Sequence, residues 1–136
     1  IEDGDCFTFG NTTIRCVLTP GHTDGVLSFF INIEEDGKSI IAAMHGGVGM
    51  NSMRGGFLKK YGLSFDCREK FREGLHSLAN EHVDLVLGNH PQQNKTEDKL
   101  QKVISGESIL DPTEWKRFLT AMEEKLDALI EQEANE

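Results

Sequence analysis

The stretch "TPGHTDGVLSFF", residues 19–30, sets a Pro-Gly turn and a histidine directly ahead of an apolar run. A run of that kind, continuing as "VLSFFINI", reads as a buried strand. His22 therefore stands at the mouth of a strand, on a turn able to aim its imidazole. Upstream, "CFTFG" is short and aromatic, and "NTTIRCVLT" is β-branched and roughly alternating. Gly10-Asn11 between them marks a tight hairpin turn. Downstream, Asp36-Gly37 in "EEDGK" marks a second hairpin, and "SIIAAM" is another short buried strand.

After residue 44 the pattern changes. "HGGVGMNSMRGGFLKKYG", residues 45–62, holds six glycines and no clear period, and is read as a long loop. Phe71, Leu75 and Leu78 in "DCREKFREGLHSLANE" fall on one helical face. "VDLVLG" is a buried strand ending at Asn89-His90-Pro91, and "KTEDKLQKVIS" an amphipathic helix closed by Gly106. The final helix is expected to start with Asp111 as N-cap, Pro112 at the first helical position and Glu114 three positions after the cap. Its apolar stripe runs through Trp115, Phe118, Leu119, Met122, Leu126, Leu129 and Ile130. The expected layout is a strand meander over 1–44, a glycine-rich loop over 45–62, and helices with one strand over 63–136. Helices laid on one face of the sheet make this an α/β layer, α+β in some schemes.

Composition narrows the function. The chain has 136 residues, about one ordinary domain, with 38% apolar and 27% charged residues, a globular balance. Its formal net charge is −9, which argues against a nucleic-acid partner, since phosphate neutralisation needs clustered Lys and Arg. The acidic stretch "MEEKLDALIEQEANE" at residues 122–136 reads as a solvated helix face and tail. Cys6, Cys16 and Cys67 are too few and too scattered for a disulfide scaffold or a Cys-x-x-Cys zinc knuckle, and are read as reduced or core cysteines. No apolar run approaches the roughly 18 residues of a membrane span, so no membrane partner is expected. The opening "IEDGDCFTFG" reads as the middle of a protein, which leaves the compartment open.

Of five histidines, His76 and His82 belong to a helix and its end, an ordinary surface setting. His22, His45 and His90 each adjoin the end of a predicted strand. Ligands of open α/β sheets collect at strand ends. If those strands lie side by side, three imidazoles share one edge of the sheet, and imidazole is a preferred zinc ligand. Singly, each has an ordinary structural reading; together they mark a site.

The stretch "GDCFTFGNTTIRCVLTPGHTDGVLSFFI", residues 4–31, resembles the metallo-β-lactamase superfamily, whose members carry a Thr-Pro-Gly-His-Thr-x-Gly turn between two strands. Here that turn is Thr19-Pro20-Gly21-His22-Thr23-Asp24-Gly25. "VDLVLGNHPQQNKTEDKL" resembles the last zinc-histidine strand of the subclass that uses His and Asp ligands. The resemblance spans roughly residues 2–104. It implies His22 as a ligand of a first metal and His90 of a second, one or two Zn²⁺ in the complete protein, and hydrolysis of a small molecule. A β-lactam or a related ester or lactone is favoured, with thioesters and phosphoesters open. Thr23 is expected to support His22 through its hydroxyl, and His45 to be an extra ligand, a substrate contact or a structural residue.

Two departures from the family pattern matter. No His-x-His occurs in residues 1–136, whereas the family's His-x-His-x-Asp-His supplies most of its site. The chain is therefore read as the C-terminal sheet-plus-helices half of an αββα sandwich, inactive alone and awaiting an N-terminal half or a second subunit. Nor does a bridging carboxylate follow the next strand, where the sequence reads Met44-His45-Gly46-Gly47. The His-and-Asp subclass lacks it too. Iron-using relatives, oxygenases or electron carriers, usually carry it, so iron chemistry is disfavoured. The alternative reading is a non-catalytic interaction or dimerisation domain derived from the same fold.

Overall fold

A computed structural model describes residues 1–135. Strands β1 (Cys6–Phe9), β2 (Thr12–Leu18), β3 (Leu27–Glu35) and β4 (Lys38–Met44) form an antiparallel meander in chain order. Two turns set its register. Gly10 is left-handed at φ 60°, and Asp36 and Gly37 are left-handed at 50° and 72°, as expected of a hairpin turn whose twist matches its strands. Strand β5 (Leu85–Leu87) then joins β4 in parallel. A parallel neighbour needs a crossover, and helices α1 (Gly55–Tyr61) and α2 (Asp66–Leu78) lie on it. Helices α3 (Thr96–Ile104) and α4 (Glu114–Ala134) follow.

The helices supply the core of one sheet face. Strand residues alternate between faces. Phe30, Ala43 and Val86 point to the helices and share one buried cluster with Phe71, Leu75 and Leu78 of α2. Trp115, Phe118, Leu119, Met122 and Leu126 of α4 complete it. Trp115 meets Phe30 edge-on and donates its indole N–H to the Leu78 carbonyl at 3.1 Å, so its one polar atom is satisfied. Arg72 of α2 bonds Glu123 (2.8 Å) and Asp127 (2.6 Å) of α4, locking the two helices at their solvent edge.

The other face has no such cover among the described residues. Two transverse rows of side chains cross it in register: Phe7, Ile14, Ile31, Ala42 and Leu85, then Cys16, Phe29, Met44 and Leu87. Cys16 and Ala42 are small enough for their neighbours to bury; the others are half-buried or exposed. Helix α3 buries no residue, and its apolar Leu100, Val103 and Ile104 stand open to solvent.

Two expectations need correction. Residues 45–62 are not one loop, because a 3₁₀ turn (Asn51–Met53) and α1 lie inside it. Helix propensity argues against a helix opening on Gly55-Gly56, since each glycine costs about 1 kcal/mol relative to alanine. A distant partner decides otherwise: Glu133 near the end of α4 accepts the Gly55 N–H at 2.8 Å. Met53 and Leu58 are then buried beneath it. The last helix starts at Glu114, not Pro112. Asp111 still organises that start by accepting the Thr113 N–H at 2.9 Å, one turn early.

Candidate metal site at the sheet end

The turn carrying His22 is built from the strands it joins. Thr19 donates its N–H to the Val26 carbonyl at 2.8 Å, and its buried hydroxyl bonds Ser28 at 2.7 Å. The backbone passes so close to α2 that a Cβ on Gly21 would lie 2.5 Å from Phe71 Cβ, so only glycine fits. Across the sheet, a Cβ on Gly46 would lie 1.9 Å from the Leu27 carbonyl oxygen, which again excludes a side chain. The turn is thereby held against α2 and the glycine loop 46–49 against β3, and the two meet where a Cβ on Gly47 would lie 3.0 Å from His22 Cβ.

The loop fixes the His22 ring. Its Nδ1 lies 2.7 Å from the Gly49 carbonyl oxygen and 2.9 Å from Ser52 Oγ, while Ser52 donates its own proton to the His22 carbonyl at 2.7 Å. A carbonyl only accepts, so Nδ1 carries the proton and Nε2 keeps its lone pair. A second ring nitrogen held by a carbonyl is the usual arrangement behind a metal-binding histidine. The hydroxyl that holds His22 is that of Ser52. Thr23, assigned this role from sequence, is exposed and bonds through its backbone carbonyl to Gly21 N–H at 3.1 Å.

His90 lies in the exposed turn after β5, where its carbonyl accepts the Gln93 N–H at 3.0 Å. Neighbouring Asn89 donates its side-chain amide to the His45 and Gly46 carbonyls, both at 2.9 Å. The His22 turn and the His90 turn thus flank one loop at one end of the sheet. His45 meets that end through its backbone carbonyl and through ring Nδ1, which accepts the Gly47 N–H at 3.2 Å. Its ring is 1% exposed and meets the Phe71 ring edge-on at 5.7 Å. Burial pushes its pKa down to about 4, so the imidazole is neutral. His76 and His82 are surface residues paired with Glu123 and Asp84, each at 2.8 Å.

A cleft of about 370 Å³ opens beside His22. Thr23, Ser52 and the Lys70–Asp24 pair (3.2 Å) supply its polar wall; Phe57, Leu58 and Leu63 supply the apolar one. Cys67 also lines it, and burial raises its thiol pKa, which makes it a poor nucleophile. Gly49, Ser52 and α1 all lie within residues 45–62, whose length and glycines suggest a pocket-shaping segment, but no sequence signal singled out any one of them.

Among the described residues, no three His, Cys, Asp or Glu side chains come together to hold a metal. His22 suits a ligand by its ring orientation alone, with Nδ1 held by the Gly49 carbonyl.

No protein-family model matches the chain, and no curated protein does. Solved structures do. Rm3 metallo-β-lactamase superposes with a TM-score of 0.84 at 23% identity, covering 98% of this chain and 50% of that one. The native FEZ-1 metallo-β-lactamase of Legionella gormanii gives 0.84 at 22%, covering 100% and 52%. BJP-1, a subclass B3 metallo-β-lactamase of Bradyrhizobium japonicum, gives 0.79 at 19%, covering 99% and 51%. The structure therefore matches the metallo-β-lactamase superfamily fold, and the chain spans about half the length of the solved structures it matches.

Proposed function

We propose that this chain forms the C-terminal half of a zinc-dependent hydrolase of the metallo-β-lactamase superfamily, with His22 and His90 as metal ligands. The observation that carries the reading is the His22 ring. Its Nδ1 is tied to the Gly49 carbonyl at 2.7 Å, which leaves Nε2 free at the sheet end it shares with His90. When bound, zinc supplies Lewis acidity and makes hydroxide available near neutral pH for attack on a carbonyl. Ser52 and Gly49 orient His22, and Asn89 ties the His90 turn to the same loop. The cleft walled by Phe57, Leu58 and Leu63 suits the apolar part of a small β-lactam, ester or lactone. Catalytic zinc usually takes three protein ligands. Residues 1–136 alone are therefore expected to be inactive, and the bare sheet face is where the other half packs.

A second reading, an interaction or dimerisation domain derived from this fold, is favoured by that same apolar face. Zinc content separates the two. The chain alone, dialysed against trace zinc without a His tag, is expected to hold almost none. Supplied with a segment bearing His-x-His-x-Asp-His, it is expected to hold one or two zinc ions, fewer after His22→Ala or His90→Ala. Zinc content unchanged by both substitutions overturns the ligand assignment. Stoichiometric zinc in the chain alone shows that it completes a site by itself or by pairing two copies.

A further inference from the structure

We propose that His45 is a positioning residue: its buried ring pins the glycine loop that holds His22 in the tautomer with Nε2 free. The inference rests on the reading of His22 as a zinc ligand and assigns His45 a place behind that site rather than in it.

The contacts run in sequence. His45 Nδ1 accepts the Gly47 N–H at 3.2 Å. Gly47 lies directly under His22, where an added Cβ would come within 3.0 Å of His22 Cβ. Two residues on, the Gly49 carbonyl accepts the His22 Nδ1 proton at 2.7 Å. On the other side, the backbone carbonyl of His45 accepts the Asn89 amide at 2.9 Å, next to His90. Gly46 N–H reaches Ser28 Oγ at 3.3 Å. One residue thus joins the loop, the His22 turn and the His90 turn.

The chemistry of the ring explains why it is histidine. With Nδ1 accepting, the ring proton sits on Nε2, and that atom is buried without a hydrogen-bond partner among the described residues. A buried unsatisfied donor is costly, and a leucine or phenylalanine would fill the volume without that cost. What histidine adds is an acceptor one bond beyond Cγ, buried under a loop whose Gly46, Gly47 and Gly49 lack side chains and whose Val48 is apolar and buried. Burial keeps it neutral, so the acceptor persists across the physiological range.

The test is long-range ¹H–¹⁵N NMR of the imidazoles in the zinc-free chain, with amide exchange at Gly47. In the wild type, His45 is expected as the Nε2–H tautomer and His22 as the Nδ1–H tautomer. His45→Leu is expected to give a mixed His22 tautomer and to speed Gly47 exchange about five- to tenfold. His45→Asn places its amide oxygen where Nδ1 stood and is expected to restore both signals, which a purely space-filling role would not do. A proton on His45 Nδ1 in the wild type, needing no variant, overturns the proposal. So does a single His22 tautomer retained in folded His45→Leu, or an Asn variant that behaves like Leu. The zinc reading fails separately, through unchanged zinc binding by His22→Ala in the completed protein.

Discussion

On the helix side of the sheet, Phe30, Ala43 and Val86 are 4%, 0% and 0% exposed; on the opposite side, Phe7 and Phe9 are 37% and 65% exposed. The strands themselves do not foretell this difference. An antiparallel strand with one wet face alternates apolar and polar residues, whereas one buried on both faces is apolar throughout. β3 reads Leu-Ser-Phe-Phe-Ile-Asn-Ile before its acidic end, and β4 carries Ile-Ile-Ala-Ala-Met. Both are written for two covered faces. α2 and α4 cover one of them, and the described residues leave the other open.

The comparison breaks first on its covered side. Trp115 is 1% exposed and joins the sheet to both long helices. Trp115→Ala is expected to cost about 3–5 kcal/mol in urea unfolding, through the cavity and the lost transfer energy. A loss below about 1 kcal/mol means that the helix layer is not packed as described.

The covered face also contains its weakest point in acid. The folded pKa of His45 is about 4, against about 6.5 for an unfolded histidine. Between those values the unfolded chain binds a proton that the folded chain refuses. Stability therefore falls as pH drops from about 6.5 to about 4, by about 3 kcal/mol when complete. Arg72 and, more weakly, His76 hold Glu123 below the ordinary carboxylate range. The stability it contributes is present above the unfolded glutamate value and is lost only as pH falls below that value. A comparison of unfolding midpoints at pH 7 and pH 5 thus stays above the range where Glu123 acts, and a His45 variant separates His45 from the other four histidines. His45→Leu is expected to flatten that interval; an unchanged slope places the acid sensitivity elsewhere.

Much of the fold was legible because it is written locally. Gly10-Asn11 and Asp36-Gly37 fix two hairpins through their own backbone preferences, and the α4 stripe repeats with the helical period. The positions of His22, His45 and His90 beyond strand ends were legible for the same reason. What stayed hidden depends on partners far along the chain. α1 exists because Glu133 reaches Gly55, 78 residues away, while Arg68 clasps both Glu133 (2.5 Å) and the Met53 carbonyl (2.8 Å). Ser52 took the place expected of Thr23 because the loop folds back over His22, which adjacency in sequence does not show. His45 follows strand parity: one residue beyond Met44 on the open face, its ring turns into the helix layer against Phe71 and reaches only the Gly47 N–H of the loop.

The smallest effect sharpens the comparison most. Phe9 projects from the open face at 65% exposure, so Phe9→Thr keeps a strand-forming residue and removes little buried surface. In the isolated chain its cost is expected to stay below about 0.5 kcal/mol. Once that face is covered, the same change should cost about 1.5–3 kcal/mol, the value of burying a large apolar side chain. The measurement is the unfolding midpoint of wild type and variant across a range of protein concentrations. A small, concentration-independent difference leaves the face free for a partner segment. A difference that grows with concentration shows a second copy already seated there, because association stabilises by mass action and the variant weakens it. In that case the two faces differ in what covers them, one by the chain's own helices and one by its twin.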